Sequence, residues 1–190
     1  MRAALLLAAG GSRRFGRGDK LLAPLDGRPL LLHAIDRASE AGTPRIIVVT
    51  DGRPRIERLL RHRPDRHLTI VRARDAKQGL SASMRAGLRA VRPIERELVI
   101  FLADMPFATI PRGLRLPAHK DAVRPEPGGR PGHPLLIRTA VAKTTSLRGD
   151  RGLAAELPAA RIAACPGRPG NLLDIDDRAA LARARRKGRG

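Results

Sequence analysis

Arg13, Arg14 and Lys20 share one short stretch with Gly10, Gly11, Gly16 and Gly18 near the start of the chain: Leu7-Ala8-Ala9-Gly10-Gly11-Ser12-Arg13-Arg14-Phe15-Gly16-Arg17-Gly18-Asp19-Lys20. Glycines let backbone N–H groups turn toward a ligand and let that ligand come close. The cations supply charge opposite to a polyphosphate. The stretch contains neither G-x-G-x-x-G nor G-x-x-x-x-G-K-[ST], so neither the dinucleotide nor the P-loop reading applies. Of 38 basic residues, Lys20 is one of five lysines, with Lys77, Lys120, Lys143 and Lys187. In so arginine-rich a chain, Lys20 suits a position that needs a compact ammonium. The alternative is a solvated loop lysine.

Carboxylates form the second group. Asp104 follows an apolar run and precedes Met105-Pro106, which positions it as one of the one or two carboxylates that Mg²⁺ needs when it bridges a protein and a triphosphate. It can also simply cap the turn at Pro106. Asp174 and Asp176 flank Ile175, and alternation in an extended segment puts both on one face. Either can complete a metal site, and Asp176 or Asp177 can instead cap the last helix. Gly79, Ser81 and Ser83 can offer backbone and hydroxyl donors to a base or ribose, or Ser81 can be a plain N-cap. His133, between Gly132 and Pro134, and Asp150, between Gly149 and Arg151-Gly152, each admit a site role or a structural one.

The elements that must position these groups alternate. Residues 3–9 read as a buried strand of a parallel sheet. A turn at Asp26-Gly27 leads to a helix that starts at Pro29 and stops near Gly42. Strands are expected at 45–50, 68–71 and 98–102, with helices over 55–61 and from Ser81 through Val91. This order argues for an α/β fold with a mostly parallel central sheet, helices on both faces, and ligands at the carboxyl ends of the strands. Gly10 and Asp104 would then meet over one crevice. Residues 109–134 hold many prolines and read as loop. Strands at 135–137, 161–165 and 172–175, short helices over 139–147 and 153–157, and a C-terminal helix over 176–187 complete the chain. Its basic tail begins at about 183.

At 190 residues and 42% hydrophobic content the chain reads as a single domain, 1–190, with an aliphatic core: it has three Phe and no Trp or Tyr. The lone Cys165 excludes an intramolecular disulfide and a thiolate metal cluster, and fits a reducing cytoplasm. No run reaches the roughly 18 apolar residues of a membrane span. A net charge of +20 invites a nucleic-acid reading. The dearth of aromatics for base stacking and the even spread of arginine argue against it. The alternatives to an enzyme are a basic module that binds nucleic acid and one that docks a partner protein.

The pattern Leu-Ala-x-Gly-x-x-x-Arg-x-Gly, followed by Lys20, resembles the signature of the nucleotidyltransferase superfamily. With Gly79 to Ser83, Asp104-Met105-Pro106, Gly129 to Pro134, Gly149 to Gly152 and Asp174-Ile175-Asp176, nearly the whole chain resembles the molybdenum cofactor cytidylyltransferases and their guanylyltransferase relatives. The resemblance implies a Rossmann-like nucleotidyltransferase fold and Mg²⁺-dependent transfer of a nucleoside monophosphate to the terminal phosphate of molybdopterin, with release of pyrophosphate. It implies that Lys20 and Arg13 hold phosphates and transition-state charge. Asp104 and Asp176 would hold Mg²⁺. Leu7, Ala8, Ala9, Gly10, Gly11, Ser12, Gly79, Ser81, Ser83 and His133 would surround the nucleotide. Leu-Ala-Ala-Gly is typical of the cytidylyl enzymes, so Ala9 points to CTP; residues 72–78 lack the Asn those enzymes often carry. A molybdoenzyme that receives the cofactor is a further implied partner. A guanylyl or other small-phosphate acceptor enzyme is the nearest alternative.

Overall fold

The apolar run at the N-terminus becomes the innermost strand. β1 (Arg2–Leu7) is buried from Ala3 onward, because successive side chains enter two different cores. Ala4, Leu6 and Ala8 point into one; Ala3, Leu5, Leu7 and Ala9 point into the other. The structure, a computed structural model, describes residues 1–11, 13–16, 18–62 and 67–187; the side chains of Arg13 and Lys187 also lie outside the description.

β2 (Pro24–Leu25) and β3 (Arg28–Pro29) make a small hairpin around Asp26-Gly27, and α1 (Leu30–Glu40) follows. Next come β4 (Ile46–Thr50), α2 (Pro54–Arg61), β5 (Leu68–Arg72), α3 (Leu80–Arg89) and β6 (Glu97–Leu102). The second half adds β7 (Ala122–Pro125), β8 (Leu135–Arg138), α4 (Thr139–Thr144), β9 (Ile162–Cys165) and α5 (Arg178–Lys187).

Seven strands form one sheet in the order β5-β4-β1-β6-β8-β7-β9. β5, β4, β1 and β6 run parallel, β8 runs antiparallel to both neighbours, and β9 is parallel to β7. Leu5 sits opposite Ile47 on one side and Ile100 on the other. Residues of α1, α2 and α5 pack with Leu6 and Phe101; residues of α3 and α4 pack with Leu5 and Ile100. The expected α/β architecture, mostly parallel with helices on both faces, is what forms. The chain leaves β1 toward β4 and later returns to its other side at β6, which opens a crevice at their carboxyl ends.

Four local expectations need correction. Residues 109–134 read as loop with short pieces, yet Ala122–Pro125 is a strand of the main sheet that pairs with β8 and β9; the buried run Ala122-Val123 is too short to register as a strand signal. Residues 172–175 do not make a strand: a 3₁₀ turn at Pro169–Leu172 replaces it, and the Ile175 amide donates to the Asp104 carbonyl at 2.9 Å instead of to a sheet. Residues 153–157 close as a 3₁₀ turn, Leu153–Glu156. Gly79, not Ser81, caps α3. Cys165 ends β9 as a buried small residue, as its type suggested.

Candidate active site

Lys20 is the buried centre of the site. It opens a 3₁₀ turn, Lys20–Leu22, whose N-cap Asp19 accepts the Leu21 amide through its carboxylate at 3.0 Å. The Lys20 ammonium donates to Asp104 Oδ2 and to Asp176 Oδ1, both at 2.8 Å. Its side chain is 7% exposed and both carboxylates are 26% exposed. Asp104 stands just past β6. The Ile175 amide on its carbonyl, and the fully buried Ile175 side chain, bring Asp176 alongside. Three segments separated by 84 and 156 residues therefore meet at one ammonium.

Burial alone would lower the Lys20 pKa; the charges and hydrogen bonds of Asp104 and Asp176 outweigh it and hold the ammonium above its ordinary value. Lys20 is thus a fixed charge, not a proton shuttle. For Asp176 the hydrogen bond from Lys20 leads, opposed by burial, and the charges of Lys20 and Arg14 add to it, so its carboxyl lies below the usual range. Arg14 reaches Asp176 Oδ2 at 2.7 Å from an exposed position. Asp174 is exposed and shifts the other way: partial desolvation first, then the like charges of Asp176 and Asp104, hold its carboxyl up. Asp177 caps α5 by accepting the Ala180 amide at 2.6 Å. This separates the roles of the neighbouring aspartates: Asp176 belongs to the cluster and Asp177 to the helix.

The donor set suits a hard divalent cation. Asp104 and Asp176 present carboxylate oxygens within reach of one point, and Mg²⁺ is held by one or two carboxylates together with substrate phosphates. Among the described residues no group of three or more His, Cys, Asp and Glu is arranged to hold an ion by itself.

The glycine loop lies against this cluster. Phe15, in the 3₁₀ turn Arg13–Phe15, is buried in the core with the Arg178 guanidinium 5.4 Å above its ring. This anchors the far side of the loop. No hydrogen bond among the described residues uses the amides of Ala9, Gly10 or Gly11. Leu7 and Ala8 end the sheet ladder, with the Ala8 amide on Val49 at 2.8 Å. Ser12 and the Arg13 side chain lie outside the described residues; Arg14 is the arginine whose guanidinium is seen at the cluster, and it also occupies the Arg position of the signature.

The segment Gly79–Ser83 starts α3. Gly79 has φ +106, and a Cβ there would fall 2.4 Å from Asp150 Oδ1. Asp150 accepts the Leu80 amide at 3.1 Å and the Gly149 carbonyl accepts the Ser81 amide at 3.0 Å. Asp150 is therefore the distant cap of α3, which gives the residue a structural role. Ser81 and Ser83 are buried in the first turn. His133 lies within the field of Asp104, but burial dominates and lowers its pKa, so the ring is neutral at neutral pH. Its Nδ1 is buried and has no hydrogen-bond partner among the described residues. Asn171, wholly buried, ties this wall together. Its Nδ2 donates to the carbonyls of Thr109 and His133, and its Oδ1 accepts the Arg168 amide at 2.7 Å. Sequence reading did not single out Asn171, Arg14 as an Asp176 partner, or Arg53, described below.

Two hollows, of about 560 and 310 Å³, lie outside the Lys20 cluster.

A strand-end glycine loop, a buried lysine and paired carboxylates thus come together at one end of a mostly parallel sheet. The chain belongs to the family of the MobA-like NTP transferase domain, which residues 4–163 match. It is 37% identical over 112 residues to the bifunctional protein GlmU of Caulobacter vibrioides, covering 58% of this chain and 24% of that one. It is 48% identical over 46 residues to a probable molybdenum cofactor guanylyltransferase of Pyrococcus horikoshii, 24% of this chain and 23% of that one. The chain thus spans about a quarter of the length of these curated relatives. Among solved structures it resembles a nucleotidyl transferase from Methanothermobacter thermautotroptrophicus (TM-score 0.78, 21% identity, 98% and 97% of the two chains). It also resembles Rv0371c of Mycobacterium tuberculosis H37Rv in complex with manganese (TM-score 0.70, 22% identity, 97% of each chain). Both likenesses concern the fold.

Proposed function

We propose that the chain transfers a nucleoside monophosphate from a nucleoside triphosphate to a phosphate monoester, with CTP as donor and the terminal phosphate of molybdopterin as acceptor. The observation that carries this reading is the Lys20–Asp104–Asp176 cluster beside a glycine loop with three amides that meet no acceptor among the described residues. An acceptor phosphate oxygen attacks the α-phosphorus. A new P–O bond forms, the bond from the α-phosphorus to the bridging oxygen breaks, and pyrophosphate leaves. The acceptor is already anionic near neutral pH, so no general base is required.

The task is to bring two anions together and stabilise the charge as it shifts. The amides of Ala9, Gly10 and Gly11 would bind phosphate oxygens, and Lys20 and Arg14, with Arg13, would neutralise them. Asp104 and Asp176 would hold Mg²⁺, which when bound supplies charge neutralisation at the α-phosphate and the leaving pyrophosphate; the manganese complex of the Mycobacterium tuberculosis protein supports a divalent cation here. Leu7, Ala8, Gly79, Ser81 and Ser83 would border the nucleoside, and the neutral His133 the acceptor side.

Ala9 in Leu-Ala-Ala-Gly supports CTP. The Pyrococcus horikoshii relative supports a second reading, GTP as donor. A thermal-shift panel of CTP, GTP, ATP and UTP, with and without Mg²⁺, decides between them; it needs an external dye because the chain has no Trp or Tyr. The largest Mg²⁺-dependent shift is expected with CTP. A larger one with GTP transfers the assignment to guanylyl chemistry, and no shift with any nucleotide removes the transferase reading.

A further inference from the structure

Arg53 lies outside every motif of the glycine loop, yet its guanidinium touches both ends of that loop. It follows β4 in the turn Asp51-Gly52-Arg53-Pro54. Thr50 Oγ1 accepts the Gly52 amide at 3.3 Å. Gly52 has φ +86, and a Cβ there would fall 2.7 Å from Arg72 Nε. Arg72 is in turn tied to Glu57 by three hydrogen bonds of 2.7–2.9 Å. Pro54 then starts α2 and leaves Arg53 as its N-cap residue with φ −54 and ψ 121. The turn thereby sends the Arg53 side chain back across the end of β1 instead of along the helix.

There the guanidinium makes four bonds. Nε donates to Asp51 Oδ1 at 2.8 Å and Nη1 to Asp19 Oδ2 at 2.7 Å. Nη2 donates to the carbonyls of Ala8 at 3.0 Å and Gly10 at 3.3 Å. Asp19 is the cap of the turn that carries Lys20, so one side chain spans the entry of the loop and its exit.

The two carbonyl contacts decide which way the loop presents itself. In a planar trans peptide the C=O and the N–H point in opposite directions. With the Ala8 carbonyl on Arg53, the Ala9 amide points away from Arg53. With the Gly10 carbonyl on Arg53, so does the Gly11 amide. The Ala8 amide bonds to Val49 of β4 and the Leu7 carbonyl to the Ala103 amide beyond β6. The Ala9 amide therefore faces the β6 side, where Asp104 stands. Ala9 is buried, and its amide meets no acceptor among the described residues. An N–H aimed to that side can donate to a ligand bound there.

We infer that Arg53 is the positioning residue of the phosphate site: it holds the loop carbonyls on the β4 side so that the Ala9 and Gly11 amides meet the triphosphate. This deepens the proposed function and rests on the reading of the loop as a triphosphate site. Only a planar fork can serve these four acceptors; a lysine at the same place is a point charge and serves fewer.

Binding of inorganic triphosphate and of CTP is measured by calorimetry, with Mg²⁺, for the unaltered protein and for Arg53→Lys, Arg53→Ala and Asp51→Asn. The expected loss in affinity for both ligands is on the order of tenfold to a hundredfold in Arg53→Lys and Arg53→Ala, as for a misplaced set of donors, and smaller in Asp51→Asn, which keeps the carbonyl contacts. Added methylguanidinium restores binding by Arg53→Ala, which a protein that had merely lost its fold would not show. If the unaltered protein binds triphosphate and Arg53→Lys binds it as tightly, the role given to Arg53 is wrong while the site stands. If the unaltered protein binds neither ligand, the loop is not a triphosphate site and the inference falls with it.

Discussion

Replacing Lys20 by Met removes the one charge that separates Asp104 from Asp176. Each carboxylate oxygen lies 2.8 Å from the ammonium nitrogen. The two oxygens are thus no further apart than those contacts laid end to end, about 5.6 Å. Two unit charges at that distance repel by about 3 kcal/mol at an effective dielectric of about 20. Without the ammonium this repulsion is uncompensated, and protonating one member of the pair relieves it. A carboxylate whose folded-state pKa is raised destabilises above that pKa and does no harm below its unfolded value. The penalty in Lys20→Met should therefore vanish at acid pH and be full at neutral and alkaline pH. At about 2–4 °C per kcal/mol for a chain of this size, the melting temperature should fall by roughly 6–12 °C. A divalent cation can now take the place of the ammonium without displacing it. Millimolar Mg²⁺ should consequently stabilise Lys20→Met more than it stabilises the unaltered protein, although transfer activity is lost. Dye-based melting over a pH series, with and without Mg²⁺, reads all of this. A variant that melts with the unaltered protein at every pH, and gains nothing extra from Mg²⁺, refutes the electrostatic reasoning.

Asp104→Ala should abolish transfer in a pyrophosphate-release assay; turnover near normal with Mg²⁺ would take Asp104 out of the metal site. In the unaltered protein Asp176 is held below its ordinary 3.8, so its stabilising contribution is full above that value and fades as pH falls through the lower folded-state pKa. The gap in melting temperature between the unaltered protein and Asp176→Asn should accordingly close in strong acid. Asp150→Ala removes the cap from α3 and should cost about 1 kcal/mol, seen as a lower melting temperature and faster amide exchange at Leu80. Glu95, buried, receives Arg45 Nε and Nη2 at 2.8 Å and the Arg92 amide at 2.7 Å. Glu95→Gln should cost about 3–5 kcal/mol yet leave nucleotide affinity unchanged, because the pair sits at the amino ends of β4 and β6.

The alternation of apolar runs and helical patterns carried the sheet and its mostly parallel character, because buried parallel strands are continuous apolar runs. β7 escaped because its longest buried apolar run, Ala122-Val123, is only two residues and its pairing is set by β8 and β9. Asp176 was legible through its flanking Ile175, although the alternation argument assumed a strand that did not form. The Ile175-to-Asp104 hydrogen bond and the buried Ile175 side chain hold the segment in its place. Asp150 as the cap of α3, Asn171 as the tie of the His133 wall and Arg53 as the clasp of the loop are contacts across 70, 38 and 45 residues. No local pattern encodes contacts of that range. The Arg position of the signature fell on Arg14, which is the arginine paired with Asp176.

The measurement closest to the core of the mechanism is transfer itself: α-labelled CTP and GTP, each incubated with molybdopterin, Mg²⁺ and the protein, with Asp104→Ala as control. The mechanism requires label to move onto the acceptor with one pyrophosphate released per transfer, faster with CTP, and not at all with the variant. Label that stays in the triphosphate with every nucleotide and acceptor, in a protein shown to be folded, would contradict it.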